Sequence, residues 1–544
     1  MCALTLGPFL VYPVVRVMLG AVLQDNVWQP SLLLLPFNDP STRQSMLHSF
    51  GIGLASTFAA SVIAVPLAYF VARLQFPGKS FLSGLLLVPL LLPPFVGAVG
   101  LRQMLGSEGV LNTLARQWHL PTVQWLDLQV PMIVVVSALH LYPLIYLNLS
   151  AAWANIDPTT EEAAENLGAN GWRLWRTVTL PMLLPGYFAG ALIVFIFALT
   201  DLGTPLVFNY NDVAAVRIFD AKSTLNPSAY VIAFWLTLVA AIVFWVSRRV
   251  LDQGSSRIAT LSRGTTAGRE RQASGWERVL VYAVFAVVLF AAMLPHIGVV
   301  LASFARDWTS RLLPEWTTDN YRRILNDPVT NTLSSVKTSL FCAALSMSLD
   351  IVAGFALAYA LVRGRVWGKL FLDTLAMLPL ALPGLILAFG LLTSFLNTPL
   401  SPLQNALPLL IISYAVRRLP YALRAVSGGL QQMSVTLEEA SLNLGASPWQ
   451  TAWRITRPLV TANLLAAGLL TFAFAVLEVS DSLILTITND NVPIAKAIYN
   501  LSIATTGGTY LACALGVVGM ALLTGTFLLA NRLLGKQLGA LFRA

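Results

Sequence analysis

Four carboxylates stand inside or at the ends of strongly apolar stretches: Asp201, Asp350, Glu478 and Asp481. An ionisable group in such a place is costly and marks a functional position until a structural partner is found for it. Asp350, in Ser346-Met347-Ser348-Leu349-Asp350, would either line a polar path or accept hydrogen bonds from neighbouring helices. Asp201 and Glu478 close two apolar runs, with Asp481 just beyond, and would form a gate or a carboxylate ring, or simply sit at helix ends. His48, His119, His140 and His296 have no ligand spacing, and Cys2, Cys342 and Cys513 lie far apart in apolar stretches. Neither a metal site nor a disulfide framework is expected. Pro77-Gly78-Lys79-Ser80 imitates the end of a phosphate loop, but Arg73 stands where the first glycine is required. No acid, base and nucleophile converge, so catalytic residues are not expected in this chain.

A different pattern occurs twice. Glu161-Glu162-Ala163-Ala164-Glu165-Asn166-Leu167-Gly168 is followed, after nine residues, by Val178-Thr179-Leu180-Pro181. Its twin is Glu438-Glu439-Ala440-Ser441-Leu442-Asn443-Leu444-Gly445, leading to Ile455-Thr456-Arg457-Pro458. Each copy follows a helix-start signal, Asp157-Pro158-Thr159-Thr160 or Ser434-Val435-Thr436, and places its acids in the first turns, where the helix dipole favours them. The glycine breaks the helix. A second short helix with Trp172 or Trp449 is expected next, and a proline, whose missing N–H is harmless at a helix start, leads into the following element. The pattern describes a helix–turn–helix elbow.

Elbows of this kind need rigid supports, and the composition says what those are. Of 544 residues 56% are hydrophobic and 11% charged, with a mean hydropathy of +0.72. Soluble proteins carry about 25% charged residues, so the chain is expected to be an all-α polytopic membrane protein. Runs of roughly 20 apolar residues, the length needed to cross hydrocarbon, fall at 3–24, 49–75, 80–104, 128–149, 182–200 and 229–246, and again at 279–304, 336–362, 369–395, 406–427, 459–477 and 510–533. Twelve spans put both ends on one side. The segments on that side hold twenty Lys and Arg against ten in the opposite loops, so both termini are expected in the cytoplasm. The net charge of +9 therefore needs no nucleic-acid partner, and membrane lipid is the expected surrounding partner of the spans. Only eleven residues precede Tyr12-Pro13, against some seventeen before the matching Pro295, so either the start is assigned too far downstream or the first span is a short helix in a locally thinned bilayer or a tilted one. No cleavable signal peptide is evident.

The halves repeat. An offset of 290 pairs Ala68-Tyr69 with Ala358-Tyr359, Arg73 with Arg363, Gly78-Lys79 with Gly368-Lys369, Pro93 with Pro383 and Gly100 with Gly390. Farther on the offset is 277, pairing Pro143 with Pro420, the two elbows, Asp201 with Glu478, and Pro181 with Pro458. Six spans per repeat keep both copies in one orientation, as in transporters with a pathway at the repeat interface. The expected organisation is a first transmembrane domain over 1–246, a Ser-, Gly- and Arg-rich cytoplasmic linker over 247–278, and a second domain over 279–544. The linker reads as a flexible tether, solvated or touching anionic headgroups.

The elbow sequence resembles the E-A-A-x3-G-x9-I-x-L-P loop of the permease subunits of binding-protein-dependent ATP-binding-cassette importers. The first copy has Val178 for Ile; the second has Ser441 for the second Ala and Arg457 for Leu. The resemblance implies that Glu162, Ala163 and Gly168, and Glu439, Ala440 and Gly445, belong to coupling helices, each contacting one of two ATPase subunits. It also implies an extracytoplasmic solute-binding protein, a bacterial inner-membrane location and ATP used by the partner ATPase, with no cofactor bound by this chain. Over nearly its whole length, through the fused layout and the Asp201-Leu202-Gly203-Thr204-Pro205 and Leu477-Glu478-Val479-Ser480-Asp481-Ser482 segments, the chain looks like the permeases of ferric-iron importers. Thiamine importers share the layout, and phosphonate, polyamine and sulfate importers have related domains. Hard Fe³⁺ prefers oxygen ligands, for which Asp201, Asp350, Glu478 and Asp481 are available. The rival readings are a secondary transporter driven by an ion gradient, which leaves the twin elbows without a reason, and a membrane-embedded enzyme.

Overall fold

The computed structural model describes residues 6–534, apart from 25, 26, 92, 223, 225, 260–269, 327–330, 365, 366, 489 and 504–507. Cys2, the first residues of the first expected span, Arg263 and Arg269 of the linker, and the basic tail with Lys536 and Arg543 lie outside the described residues. Among those described, the chain is almost entirely helical, its strands being two-residue pairs.

A helix occupies each expected span. In the first half these are Gly7–Gly20, Pro40–Arg73, Lys79–Leu85 with Pro94–Leu105, Gln129–Ala154, Trp172–Leu199 and Pro227–Ala259. In the second they are Gly275–Ser303, Thr332–Val362, Lys369–Ala381 with Gly384–Phe395, Leu407–Gln432, Pro448–Leu459 with Thr461–Val476, and Gly508–Leu534. Among the described residues seven are long and apolar enough to cross a bilayer as single helices, and ten if each bent pair is one span. Gly7–Gly20 is too short to count. Leu407–Gln432 is too charged, since every 18-residue window of it contains Arg417, Arg418 and Arg424.

The third and ninth spans, expected to be continuous, are broken. The chain turns by 90° between Lys79–Leu90 and Pro94–Gln117, and by 104° between Lys369–Ala381 and Gly384–Phe395. Pro93 and Pro383 sit at the breaks in extended conformation, with ψ of 139° and 131°. Proline supplies no N–H to the preceding turn and drives the residue before it out of helical geometry, and Leu382 accordingly has ψ 130°. The eleventh span is also bent, by 73°.

Within each half, the second, fourth and fifth spans pack together. The first span packs on the sixth of its own half and crosses to the broken third span of the other half. Gly390 makes this possible on one side: a Cβ there would lie 2.8 Å from the Pro13 carbonyl oxygen. Gly100 does so on the other, where a Cβ would lie 2.5 Å from the Val299 nitrogen and 2.7 Å from the Pro295 oxygen. Small residues let helix backbones meet in a bilayer, where apolar side chains gain nothing from leaving lipid. The first crossing is completed by Phe9 stacked on Phe395 at 5.5 Å. Outward faces stay apolar, with Phe58 72% exposed, as a hydrocarbon solvent requires.

The segment 247–278 is not a wholly flexible tether. The sixth span continues as helix to Ala259, and Arg271–Gln272 pairs in parallel with Leu74–Gln75 at the end of the second span. Ala273 N–H donates to the Gln75 carbonyl at 3.1 Å, and Lys79 meets Glu270 at 3.1 Å.

Replacing Gly100 or Gly390 with Leu is expected to lower the thermal transition of the detergent-solubilised protein, by about 1–3 kcal/mol of overpacking or more. Gly428, which has nothing within 4 Å of a Cβ position, is the control: its change to Ala should leave the transition unchanged or raise it.

Candidate functional site

The two elbows are nearly superposable in their local chemistry. The first arm is Pro158–Asn166, capped by Asp157, whose carboxylate accepts from Thr159 N–H at 2.9 Å. The second elbow's arm is Thr436–Asn443, where Ser434 accepts from Thr436 N–H at 3.3 Å. Both end in the same glycine turn. Gly168 has φ +86° and Gly445 φ +89°. Ala169 N–H reaches back to the Ala164 carbonyl and Gly168 N–H to Glu165; in the second elbow Ala446 reaches Ser441 and Gly445 reaches Leu442. This is the Schellman arrangement, which requires a left-handed residue and so favours glycine. A Cβ at either glycine would meet nothing within 4 Å, so the need is conformational and not steric.

The second arm differs from expectation in the first half. Trp172–Leu199 runs unbroken through Pro181, with a π-helical turn over Trp175–Thr179, so the elbow's second arm is the start of the fifth span itself. In the second half the corresponding arm, Pro448–Leu459, is set off by the bend. Each arm carries stacked indoles, Trp172 on Trp175 at 5.1 Å and Trp449 on Trp453 at 5.7 Å.

Each elbow is latched to its spans by the first glutamate of the motif. Glu161 is buried, ion-paired with Arg73 at the end of the second span, and accepts from the Thr179 hydroxyl at 2.7 Å. Glu438 is buried likewise, 2.7 Å from Arg363 Nε, and accepts from the Thr456 hydroxyl at 2.6 Å. Arg363 also donates to the carbonyls of Leu430 and Met433, the orphan acceptors at the end of the tenth span. The neighbouring Glu162 and Ala163, and Glu439 and Ala440, face outward and are exposed. Beside the glycines, Leu167 and Leu444 are each 89% exposed. The sequence reading named the outward acids and missed the inward ones. The signal for the latch was present, because Arg73 and Arg363 repeat at one offset and Thr179 and Thr456 at the other.

The carboxylates of the spans have unlike surroundings. Glu478 is clamped by Arg417 and Arg418, both at 2.5 Å, and Asp481 faces Arg417 at 3.3 Å. Arg418 donates further to the carbonyls of Tyr414 and Phe474. The Arg417 guanidinium rests on the turn of the broken ninth span, where a Cβ at Gly384 would lie 2.2 Å from its central carbon. Asp350 is buried, with Arg418 as its charged neighbour, and neither of its oxygens is hydrogen-bonded among the described residues. Asp201, the equivalent of Glu478, accepts instead from the N–H groups of Gly203 and Thr204 at 3.1 and 3.4 Å, starting the short helix that follows. The equivalent of Arg417 is His140, which contacts the Pro89 carbonyl at 2.8 Å. It lines a small cavity with Pro93, Pro94, Pro295 and His296. His48 is 2.6 Å from the Tyr210 hydroxyl. Arg417 and Arg418, adjacent in mid-span, are functional candidates that charge counting within spans would have found.

Two repeats of six spans, each with a latched elbow, are the architecture of an importer permease. Residues 64–257 and 350–533 both match the family described as binding-protein-dependent transport system inner membrane component. The chain belongs to that family, with its domain present twice: it is a fused permease of an ATP-binding-cassette importer. It is similar to a putative ferric transport system permease protein of Haemophilus influenzae, 26% identical over 497 residues, covering 89% of this chain and 76% of that one. It is also similar to the thiamine transport system permease protein of Salmonella typhimurium, 25% identical over 452 residues and covering 79% and 80%. The molybdenum transport system permease protein of Haemophilus influenzae is 32% identical over 165 residues, covering 30% and 70%.

Removing one partner of a buried ion pair leaves an uncompensated charge, an effect of about 3–5 kcal/mol. Arg73→Ala and Arg363→Ala should therefore each lower the thermal transition sharply, whereas Leu167→Asp and Leu444→Asp should leave it within about 0.5 kcal/mol of the parent. Glu478→Gln should destabilise more than Asp201→Asn, since it frees two buried guanidinium groups instead of one turn.

Proposed function

We propose that each elbow docks one of two ATPase subunits, through Glu162, Ala163 and Leu167 in the first half and Glu439, Ala440 and Leu444 in the second. ATP is hydrolysed in those subunits, and this chain binds no cofactor. Both termini and both elbows lie in the cytoplasm, and a solute-loaded binding protein delivers cargo to the opposite face. The carrying observation is the twinned latch. A buried carboxylate ties the elbow to the ends of two spans at once, so displacement of the exposed face by a closing ATPase is transmitted to the second and fifth spans as a unit. The halves then rock about their interface, opening the pathway alternately to the two sides.

The cargo we propose is ferric iron. It rests on the similarity, along most of the chain, to ferric permeases of Haemophilus influenzae and of Actinobacillus pleuropneumoniae, the latter 26% identical over 487 residues. Asp201, Asp350, Glu478 and Asp481 are kept as pathway or gate candidates, with Glu478 and Asp481 acting together with Arg417 and Arg418.

The test is reconstitution of the permease with its co-purifying ATPase in liposomes, with binding protein loaded separately with radiolabelled ferric iron and thiamine. ATP-dependent uptake of iron alone is expected; uptake of thiamine alone would replace the cargo, and uptake driven by a proton or sodium gradient without an ATPase would remove the importer reading. Gly168→Val with Gly445→Val, which forces β-branched residues into a left-handed conformation at about 1–2 kcal/mol each, should abolish ATPase association and uptake while the protein still inserts.

A further inference from the structure

The connections between the fifth and sixth spans meet on the side opposite the elbows. Ala214–Asp220 and Ile494–Ile503 are their helices. Their equivalence is fixed by a shared hydrogen bond: Ser49 accepts from Ala214 N–H, and Ser339, its partner at the offset of 290, accepts from Ile494 N–H, both at 2.8 Å. Counting onward pairs Ile218 with Ile498 and Phe219 with Tyr499. Phe219 and Tyr499 touch edge to face at 5.9 Å. Equivalent residues of two related halves can meet only where the axis relating them passes, so this aromatic pair lies on the pseudo-twofold axis.

Two lysines flank the pair and break its symmetry. Lys222 Nζ lies 3.7 Å from the Phe219 ring centroid and donates to the Leu483 carbonyl of the other half at 3.2 Å. Lys496 Nζ, from the second half, lies 5.7 Å from the same centroid and 5.1 Å from that of Tyr499. Both ammonium groups therefore gather about the aromatic pair on the axis. Among the described residues neither ammonium is ion-paired with a carboxylate, and Asp220 is the acidic neighbour of Lys222. Burial, and then the charge of Lys496, pulls the Lys222 ammonium down to about 7. Two like charges held together in a half-buried place destabilise one another, and an arriving anion relieves both. Of the four span carboxylates, Glu478 and Asp481 are held by arginine and Asp201 by its own backbone, which leaves Asp350, beside Arg418, as the one without a hydrogen bond among the described residues.

We infer that Lys222 and Lys496, with Phe219 and Tyr499, form an outer gate on the axis that receives a small oxyanion, either as the cargo itself or as the ligand shell of a metal cargo. This rests on the importer reading and refines its substrate class. A bare trivalent cation is repelled at such a gate, whereas an oxyanion-wrapped one is drawn in.

The experiment is uptake by the complete reconstituted importer, with cognate binding protein, of radiolabelled iron supplied with phosphate, with citrate or with chloride alone, and of radiolabelled molybdate. The expected result is iron uptake that requires phosphate or citrate, which assigns the oxyanion to the ligand shell; molybdate uptake without iron uptake assigns it to the cargo. Lys222→Gln with Lys496→Gln should reduce uptake by about tenfold or more, the scale of electrostatic steering, and Lys222→Arg with Lys496→Arg should restore most of it. A doubly substituted Gln protein that transports at the parental rate overturns the gate. So does an Arg protein as impaired as the Gln one, since that pattern follows from packing. A parental complex with no ATP-driven uptake at all overturns the importer reading along with it, which separates the two failures.

Discussion

A buried carboxylate holding a guanidinium is the interaction on which the elbow side of this permease depends. The Glu161–Arg73 and Glu438–Arg363 pairs lie where the second span ends, the elbow begins and the fifth span starts, with Thr179 and Thr456 supplying the remaining contact. Without them the elbow is a short polar helix of eight or nine residues, too short to be stable by itself. With them it is an extension of two membrane helices, and its exposed face keeps a fixed relation to the spans.

The two halves share this device but diverge inside the membrane. The second half gathers Arg417, Arg418, Glu478, Asp481 and Asp350, with Arg417 on the turn of its broken span, and the first half places His140, Leu141, Asp201, Thr204 and Ala60 at the matching positions. A charged cluster faces a nearly neutral one across the pseudo-axis. Among the described residues, therefore, only the second half has a mid-span network whose integrity requires ion pairing in a low-dielectric region, where each charge must be matched. A fused chain permits such asymmetry, since each half can be altered independently of its twin.

Much of this was legible in the sequence. Apolar runs located all twelve helical regions, and the two offsets related Arg73 to Arg363 and one elbow to the other before any geometry was known. The breaks in the third and ninth spans were hidden because apolar character continues across Pro93 and Pro383, and hydropathy does not register a change of direction. The roles of the paired acids were hidden for another reason. Glu161 and Glu162 are adjacent and chemically identical, and only Arg73, 88 residues away in the chain, decides which one turns inward. Arg417 and Arg418 escaped attention because span assignment tolerates a few charges, while their carboxylate partners drew the eye.

The crossed first spans bear on how the protein is made. Pro13 finds its seat against Gly390, in the opposite half of the chain. A ribosome inserting the chain from its amino end must release the first helix into lipid long before the surface that receives it exists. That helix waits through the synthesis of the whole first half, when the sixth span comes to pack on it, and of the linker before its main partner is made. The sixth span, whose Tyr230 packs against Gly20, gives it a first support, and its seat is complete only when the ninth span has entered and folded back.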